Sequence, residues 1–174
     1  MGAAEKYIGN YDFDVKLVMP FADAMTSSIT NLCNINVIKK PLEFRPEGTS
    51  ATADVAIALS VMSDSSLSSM AIIFKKEVFL KIVGKMLGEI FSDYSNELHD
   101  AAKELINIAF NAAKKKMVEK KIGGVRSNPE VWFGSNMQLS YLSRARTVIL
   151  PFDTDLGPFC IEFTTQETTV SDRI

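Results

Sequence analysis

The sequence has few of the side chains on which hydrolytic enzymes usually rely. Its 174 residues include one histidine, His99, and two cysteines, Cys33 and Cys160. Zinc sites need several His or Cys ligands, and a Ser-His-Asp or Cys-His mechanism would have to use His99 with no GxSxG-type turn in the sequence. Both cysteines lie in apolar stretches without a CxxC partner, which predicts reduced, buried thiols and not a disulfide or a ligand pair.

Long apolar runs and a strong net charge are also missing. No run approaches the roughly 20 apolar residues that span a bilayer, and residues 1–7 lack the basic-then-apolar order of a signal peptide. The formal net charge of -2 implies no general attraction to nucleic acid or to an acidic membrane. The lysines within 114–121 have no interleaved aromatic residues, so we interpret them as complementing a helix dipole. We expect a cytoplasmic protein that binds neither membrane nor nucleic acid.

The hydrophobic pattern predicts one α+β domain, a mostly antiparallel sheet with long helices packed on it, because the strands come in runs joined by short turns. The domain covers 14–165, between an N-terminal arm (1–13) and a flexible tail (166–174). We expect Pro20 in the first turn of the first helix and Pro41 on an edge strand. The predicted helices are 15–33, 76–87 and a third that follows a linker at 92–96 and runs to about 121. The predicted strands are 36–44, 53–62, 67–74, 130–134 (or onward to 141), 146–152 and 159–164.

One stripe of polar residues stands out on the third predicted helix. Asp100, Glu104, Asn107 and Asn111 fall within roughly 60° of arc at about 100° per residue. Asn is less favourable than Ala inside a helix by about 0.5 kcal/mol or more, so a face that serves only solvation would more naturally carry Glu, Lys or Gln. The stripe alone leaves two interpretations open, a solvated helix face and a binding face. Apolar residues occupy the opposite side of the helix: Leu98, Ala102, Leu105, Ala109 and Ala112.

The spacing Asp100-xxx-Glu104-xx-Asn107 resembles the motif of the CheC/CheX/FliY family of chemotaxis phosphatases, and the single copy is closest to the CheX members. The resemblance extends over roughly 14–165. Two positions depart from the family pattern, because Lys103 precedes Glu104 where a small residue is common and Phe110 replaces a common Gly. The other segments that carry the resemblance are Met19-Pro20-Phe21, residues 84–88 and residues 152–159.

The resemblance implies a phosphatase that acts on the phospho-aspartate of a CheY-type response regulator. In that role Asn107 orients the hydrolytic water and Glu104 docks the regulator's active-site Lys, while Asp100 and Asn111 extend the partner-binding face. The regulator brings the Mg²⁺, and no cofactor or metal is expected on this chain.

Two further expectations accompany this interpretation. The alternative function is a non-catalytic dimeric binding module of the same fold, which docks a response regulator or a flagellar-type partner. The resemblance also implies a homodimer formed through sheet edges. Trp132 and Phe133 belong either to the core or to that dimer contact.

Overall fold

A computed structural model describes residues 12–46, 49–62, 66–119, 128–139 and 147–167. Within these ranges three helices and seven strands form an α+β fold with an antiparallel sheet, which confirms the predicted class. None of the helices in the described ranges is long and apolar enough to cross a membrane. In chain order the elements are α1 (Asp12–Cys33), β1 (Val37–Lys39), β2 (Glu43–Phe44), β3 (Ala51–Met62), β4 (Ser66–Phe74), α2 (Lys76–Leu87), α3 (Asn96–Glu119), β5 (Pro129–Leu139), β6 (Val148–Thr154) and β7 (Phe159–Glu167).

The strands form one sheet in the order β1-β6-β7-β4-β3-β5, with β2 also paired to β6. All the pairs are antiparallel. β1 and β2 share one edge and are interrupted at Pro41, which has no N–H to donate, although Lys40 still donates to the Pro151 carbonyl at 2.9 Å. The edge position predicted from Pro41 is therefore confirmed, and β5 forms the opposite edge.

One face of the sheet packs against the helices. Successive strand residues point to opposite faces, so Val55, Ile57 and Leu59 of β3 lie in one large buried cluster with the apolar faces of α1, α2 and α3. Phe159 stacks between Phe74 and Phe152, with ring centroids 5.0 and 4.8 Å apart. This continuous core holds α3 against the sheet.

The other face of the sheet, which we call the outer face, carries smaller side chains. A depression of about 530 Å³ lies on it, with Ala58 and Ala71 among the residues of its floor and Trp132 at its wall. Trp132 is 45% exposed, whereas the neighbouring Phe133 is half-buried and packs against the core on the helix side. A smaller buried cluster lies beside the depression: Ala51, Ala53, Ala56, Ala71 and Ile73.

Several element boundaries differ from the prediction. α1 begins at Asp12, so residues 12–13 are helical, and Pro20 lies well inside the helix and not in its first turn. Pro20 removes one backbone hydrogen bond, but Val18, Phe21 and Ala22 around it are buried, and tertiary packing of this kind overrides local propensity. At the other end, residues 166–167 belong to β7. The remainder of the predicted arm (1–11) and tail (168–174) lies outside the described residues.

Candidate functional site

α3 begins at a defined cap. The Ser95 hydroxyl accepts a hydrogen bond from the Leu98 backbone N–H at 3.2 Å, and the Ser95 carbonyl accepts one from the His99 N–H at 3.1 Å. The first turns of a helix leave backbone N–H groups without partners, and a serine oxygen satisfies one of them. Ser95 is therefore the residue that caps the start of α3.

An aromatic group ties the start of α3 to the sheet. The Tyr94 ring stacks on Phe133 of β5 with centroids 4.4 Å apart and planes 2° apart, and His99 meets the Phe133 edge at 6.0 Å. The Tyr94 hydroxyl lies 3.2 Å from the Asp54 carbonyl oxygen and 3.3 Å from that of Gly134, so it can donate to either. The sequence pattern could not show this group, because its members come together only in the folded sheet.

The back of α3 is buried along its whole length, which fixes the orientation of its front. Four residues of the predicted apolar stripe are buried, and the fifth, Ala112, is half-buried against the same core. Phe110 is only 7% exposed, so its ring lies away from the exposed face and leaves that face open. The buried residues are Leu98, Ala101, Ala102, Leu105, Ile106, Ala109, Phe110, Ala113 and Met117.

The four stripe residues, Asp100, Glu104, Asn107 and Asn111, are all exposed on the front of α3. They extend over about 16 Å of helix axis at 1.5 Å per residue, and Glu104 and Asn107 have Cβ atoms about 5–6 Å apart because they are three residues apart. The Asp100 carboxylate is 82% exposed and lies 3.5 Å from His99 Nδ1. Within the described part of the chain the other three side chains make no hydrogen bond, so their polar atoms are available to a partner.

Charged groups beside the start of α3 are held by internal contacts. The pKa of Asp93 is lowered because Lys76 donates to its carboxylate at 2.6 Å and the Tyr94 N–H also donates to it. The pKa of Asp54 is lowered chiefly because the Asn136 backbone N–H donates to it at 2.9 Å, with the Lys76 N–H and the Lys75 ammonium adding to the effect. Burial raises the pKa of Tyr94. These groups stabilise the structure that supports α3.

Neither cysteine offers a reactive thiolate. Burial raises the pKa of both Cys33 and Cys160 to about 11, and both thiols are free. Among the residues that the structure describes, no three His, Cys, Asp or Glu side chains come together as a metal site would require.

A cavity of about 270 Å³ lies at the start of α3, and its lining residues are Tyr94, Ser95, Asn96, His99 and Phe133.

The antiparallel sheet with helices on one face and an exposed acid–amide row on α3 places this molecule among proteins of the CheC/CheX-like fold. The family model described as chemotaxis phosphatase CheX matches residues 56–153, and the chain belongs to that family. No match was found among curated proteins.

Solved structures of this fold resemble the chain closely in shape and distantly in sequence. A CheC-like superfamily protein from Shewanella sp. PV-4 is 24% identical over 87% of this chain and 98% of that chain, with a TM-score of 0.78. The chemotaxis protein CheX from Vibrio vulnificus is 21% identical over 86% and 99%, with a TM-score of 0.77. CheX in a CheX–CheY–BeF3–Mg²⁺ complex from Borrelia burgdorferi is 18% identical over 86% and 97%, with a TM-score of 0.71.

Proposed function

We propose that this chain dephosphorylates the phospho-aspartate of a CheY-type response regulator. The observation that carries the proposal is the exposed Glu104–Asn107 pair on the front of α3, without internal hydrogen bonds among the described residues. Membership of the CheX family and the CheX–CheY complex of the Borrelia relative support the proposal.

Asn107 is proposed to orient the attacking water. Hydrolysis of an acyl phosphate needs a water held in line with the P–O bond that breaks, and positioning contributes most of the catalysis in phosphoryl transfer. A neutral amide both donates and accepts hydrogen bonds, so it can hold water without removing its proton. The buried back of α3 keeps the Asn107 backbone fixed, which lowers the entropy lost when the water is positioned.

Glu104 is proposed to pair with the active-site Lys of the regulator. Docking would remove both charges from water, so a correct partner gains a close ion pair and a partner without the Lys leaves a carboxylate buried and unpaired. Glu104 thereby contributes alignment and specificity, while the regulator supplies the Mg²⁺ and the Lys that neutralise the phosphoryl charge. Asp100 and Asn111 border this contact at either side along the helix.

The test is the decay of a phosphorylated CheY-type regulator with Mg²⁺, with and without this chain. Acceleration by the wild type should fall by about 100-fold or more in Asn107→Ala, as expected when a group that positions a reactant is removed. Asn31→Ala provides the matched control, because Asn31 is an exposed asparagine on α1. Unchanged decay with the wild type, for every regulator of the same genome, would leave the non-catalytic binding module as the function.

We also propose that the chain forms a homodimer through the edge of β5 that faces away from β3. Unpaired N–H and C=O groups on an edge strand are a template for pairing with a second copy. β5 has 11 residues, whereas the opposite edge consists of strands of three and two residues interrupted at Pro41. Light scattering at micromolar concentration should give twice the chain mass, and a mass of one chain would contradict the proposal.

A further inference from the structure

The exposed front of α3 continues beyond Asn111. Val118 lies 18 residues after Asp100, which is five helical turns, so the two share one line along the helix. Lys114 lies about 40° to one side of this line, and Lys115 lies about 60° to the other side. All three are exposed, and Val118 is 62% exposed. We call the face from Asp100 to Val118 the α3 ridge, which is about 27 Å long at 1.5 Å per residue.

Charge changes sign along the ridge. Asp100 and Glu104 are acidic at one end, where the half-buried Lys103 lies about 60° from the line. Amides occupy the middle, and the exposed Lys114 and Lys115 are basic at the other end. Across the described part of the chain neither lysine forms an ion pair. Cations near a helix C-terminus complement its dipole, but that effect does not require a large apolar side chain such as Val118 in the same line.

We propose that Lys114, Lys115 and Val118 form a second contact for the phosphorylated response regulator and fix its orientation along α3. This inference rests on the proposed function and names the chemistry of the partner surface. That surface is basic opposite Glu104, holds the phosphoryl group opposite Asn107, and presents acidic groups and an apolar side chain to the distal end of the ridge.

The size and the charge order of the ridge support this occupant. A standard protein interface buries about 800 Å² per partner, which corresponds to a patch on the order of 30 Å across, close to the ridge length. Contact with Glu104 and Asn107 alone would leave the regulator free to rotate about that point. Charges of opposite sign at the two ends of the ridge fix its orientation, because a regulator docked in reverse would face like charges at both ends.

The first test compares two charge reversals that change the net charge equally. Lys114→Glu/Lys115→Glu alters the ridge, and Lys81→Glu/Lys85→Glu alters two exposed lysines four residues apart on α2. The ridge pair should lower kcat/KM for the phosphorylated regulator by about tenfold or more, through KM and with kcat within about twofold. The α2 pair should change kcat/KM by less than about twofold. Lys114→Gln/Lys115→Gln should give a smaller loss, and thermal melting checks that α3 stays folded.

The second test removes the apolar contact. Val118→Ser should raise KM by about three- to tenfold, which is less than full burial of a valine would give, because Val118 is 62% exposed and docking buries only that part. Ile90→Ser is the matched control because Ile90 is fully exposed between α2 and α3. Similar effects of Val118→Ser and Ile90→Ser would overturn the role of Val118.

Binding is measured separately from hydrolysis so that the two proposals can fail separately. The Kd for a regulator activated with BeF3⁻ and Mg²⁺ reports docking even if no phosphate is released. Weaker binding of the ridge variants, with binding of the control variants unchanged, would support the second contact even if the wild type does not hydrolyse the phospho-regulator. Equal Kd values for the ridge and control variants, or no binding by the wild type, would overturn it.

Discussion

The α3 ridge and the outer face of the sheet are both exposed surfaces, but they differ in chemistry. The ridge presents charged and amide groups on a helix whose opposite side is buried. The outer face presents an alanine-rich floor beside Trp132. An ion pair on this side of the sheet lies within the chain, since Arg45 contacts both carboxylate oxygens of Glu162. A polar group without an internal partner is available for chemistry, whereas a satisfied polar group stabilises the fold.

This difference gives the two surfaces different mutational signatures. Substitutions on the ridge should change activity and leave stability nearly unchanged, because the ridge side chains have few internal contacts. Substitutions on the outer face should change stability or assembly and leave the chemistry unchanged. The following changes test that division, from the largest expected effect to the smallest.

Arg45→Ala should lower the free energy of unfolding by about 3 kcal/mol, because it removes a cation that contacts both oxygens of a buried carboxylate. The Glu162 side chain is only 1% exposed. Glu104→Ala, which removes an exposed carboxylate, should change the same quantity by less than about 0.5 kcal/mol. Urea unfolding measures both. Equal destabilisation by Arg45→Ala and Glu104→Ala would contradict the division.

Glu104→Gln should lower kcat/KM for the phosphorylated regulator by about 30-fold or more, which corresponds to the roughly 2–5 kcal/mol of a desolvated ion pair. The remaining activity should depend less on salt, since one charge of the contact is gone. Steady-state dephosphorylation at several ionic strengths gives both quantities. Glu119→Gln, at the end of the same helix, is the control, and equal losses for the two variants would remove the docking role of Glu104.

Trp132→Glu should favour the single chain over the dimer, because it places a like charge on each copy near the proposed β5 edge. Removing the apolar surface of a 45% exposed tryptophan adds to this effect. Light scattering over a dilution series measures the shift. Dephosphorylation per chain should stay within about twofold of the wild type, and a parallel loss of activity would show that the two surfaces act together.

Asp54→Asn should change the acid side of the stability profile. The folded-state pKa of Asp54 is lowered, chiefly by the Asn136 N–H, so its contribution to stability is present above the unfolded pKa of about 3.9 and is lost as pH falls through the folded pKa. The wild type should therefore exceed Asp54→Asn in stability at pH 7, with the difference shrinking below about pH 4. Denaturation at a series of pH values measures it, and a constant difference would contradict the assignment.

Local signals in the sequence predicted much of this fold. The bounds predicted for α2 match the structure, because Gly88 adopts a left-handed conformation (φ 73°) and ends the helix through short-range geometry. The acid–amide row on α3 followed from helical periodicity alone. Its exposure could be predicted since Leu98, Leu105 and Ala109 define the opposite side.

Contacts between distant residues could not be predicted in the same way. Tyr94 and Phe133 meet only when β5 joins the sheet, and Arg45 reaches Glu162 across 117 residues. The position of Pro20 could not be predicted for a related reason, because buried neighbours hold it within α1 against its local preference. From the sequence, Lys114 and Lys115 are explained by the favourable interaction of cations with the helix dipole. A further role is indicated only by the structure, in which Val118 beside them is exposed.

Asn107 lies on an exposed helix surface, away from both the depression on the outer face and the cavity at the start of α3. A small acyl phosphate would therefore find nothing to hold it in place, and Asn107 alone would give it no advantage over solvent. Under the proposed function, the reacting centre is completed only when a folded receiver brings its own phosphoryl group, metal and lysine. A phosphatase of this kind would not hydrolyse the free acyl phosphates of metabolism, because its partner supplies the other groups of the active site.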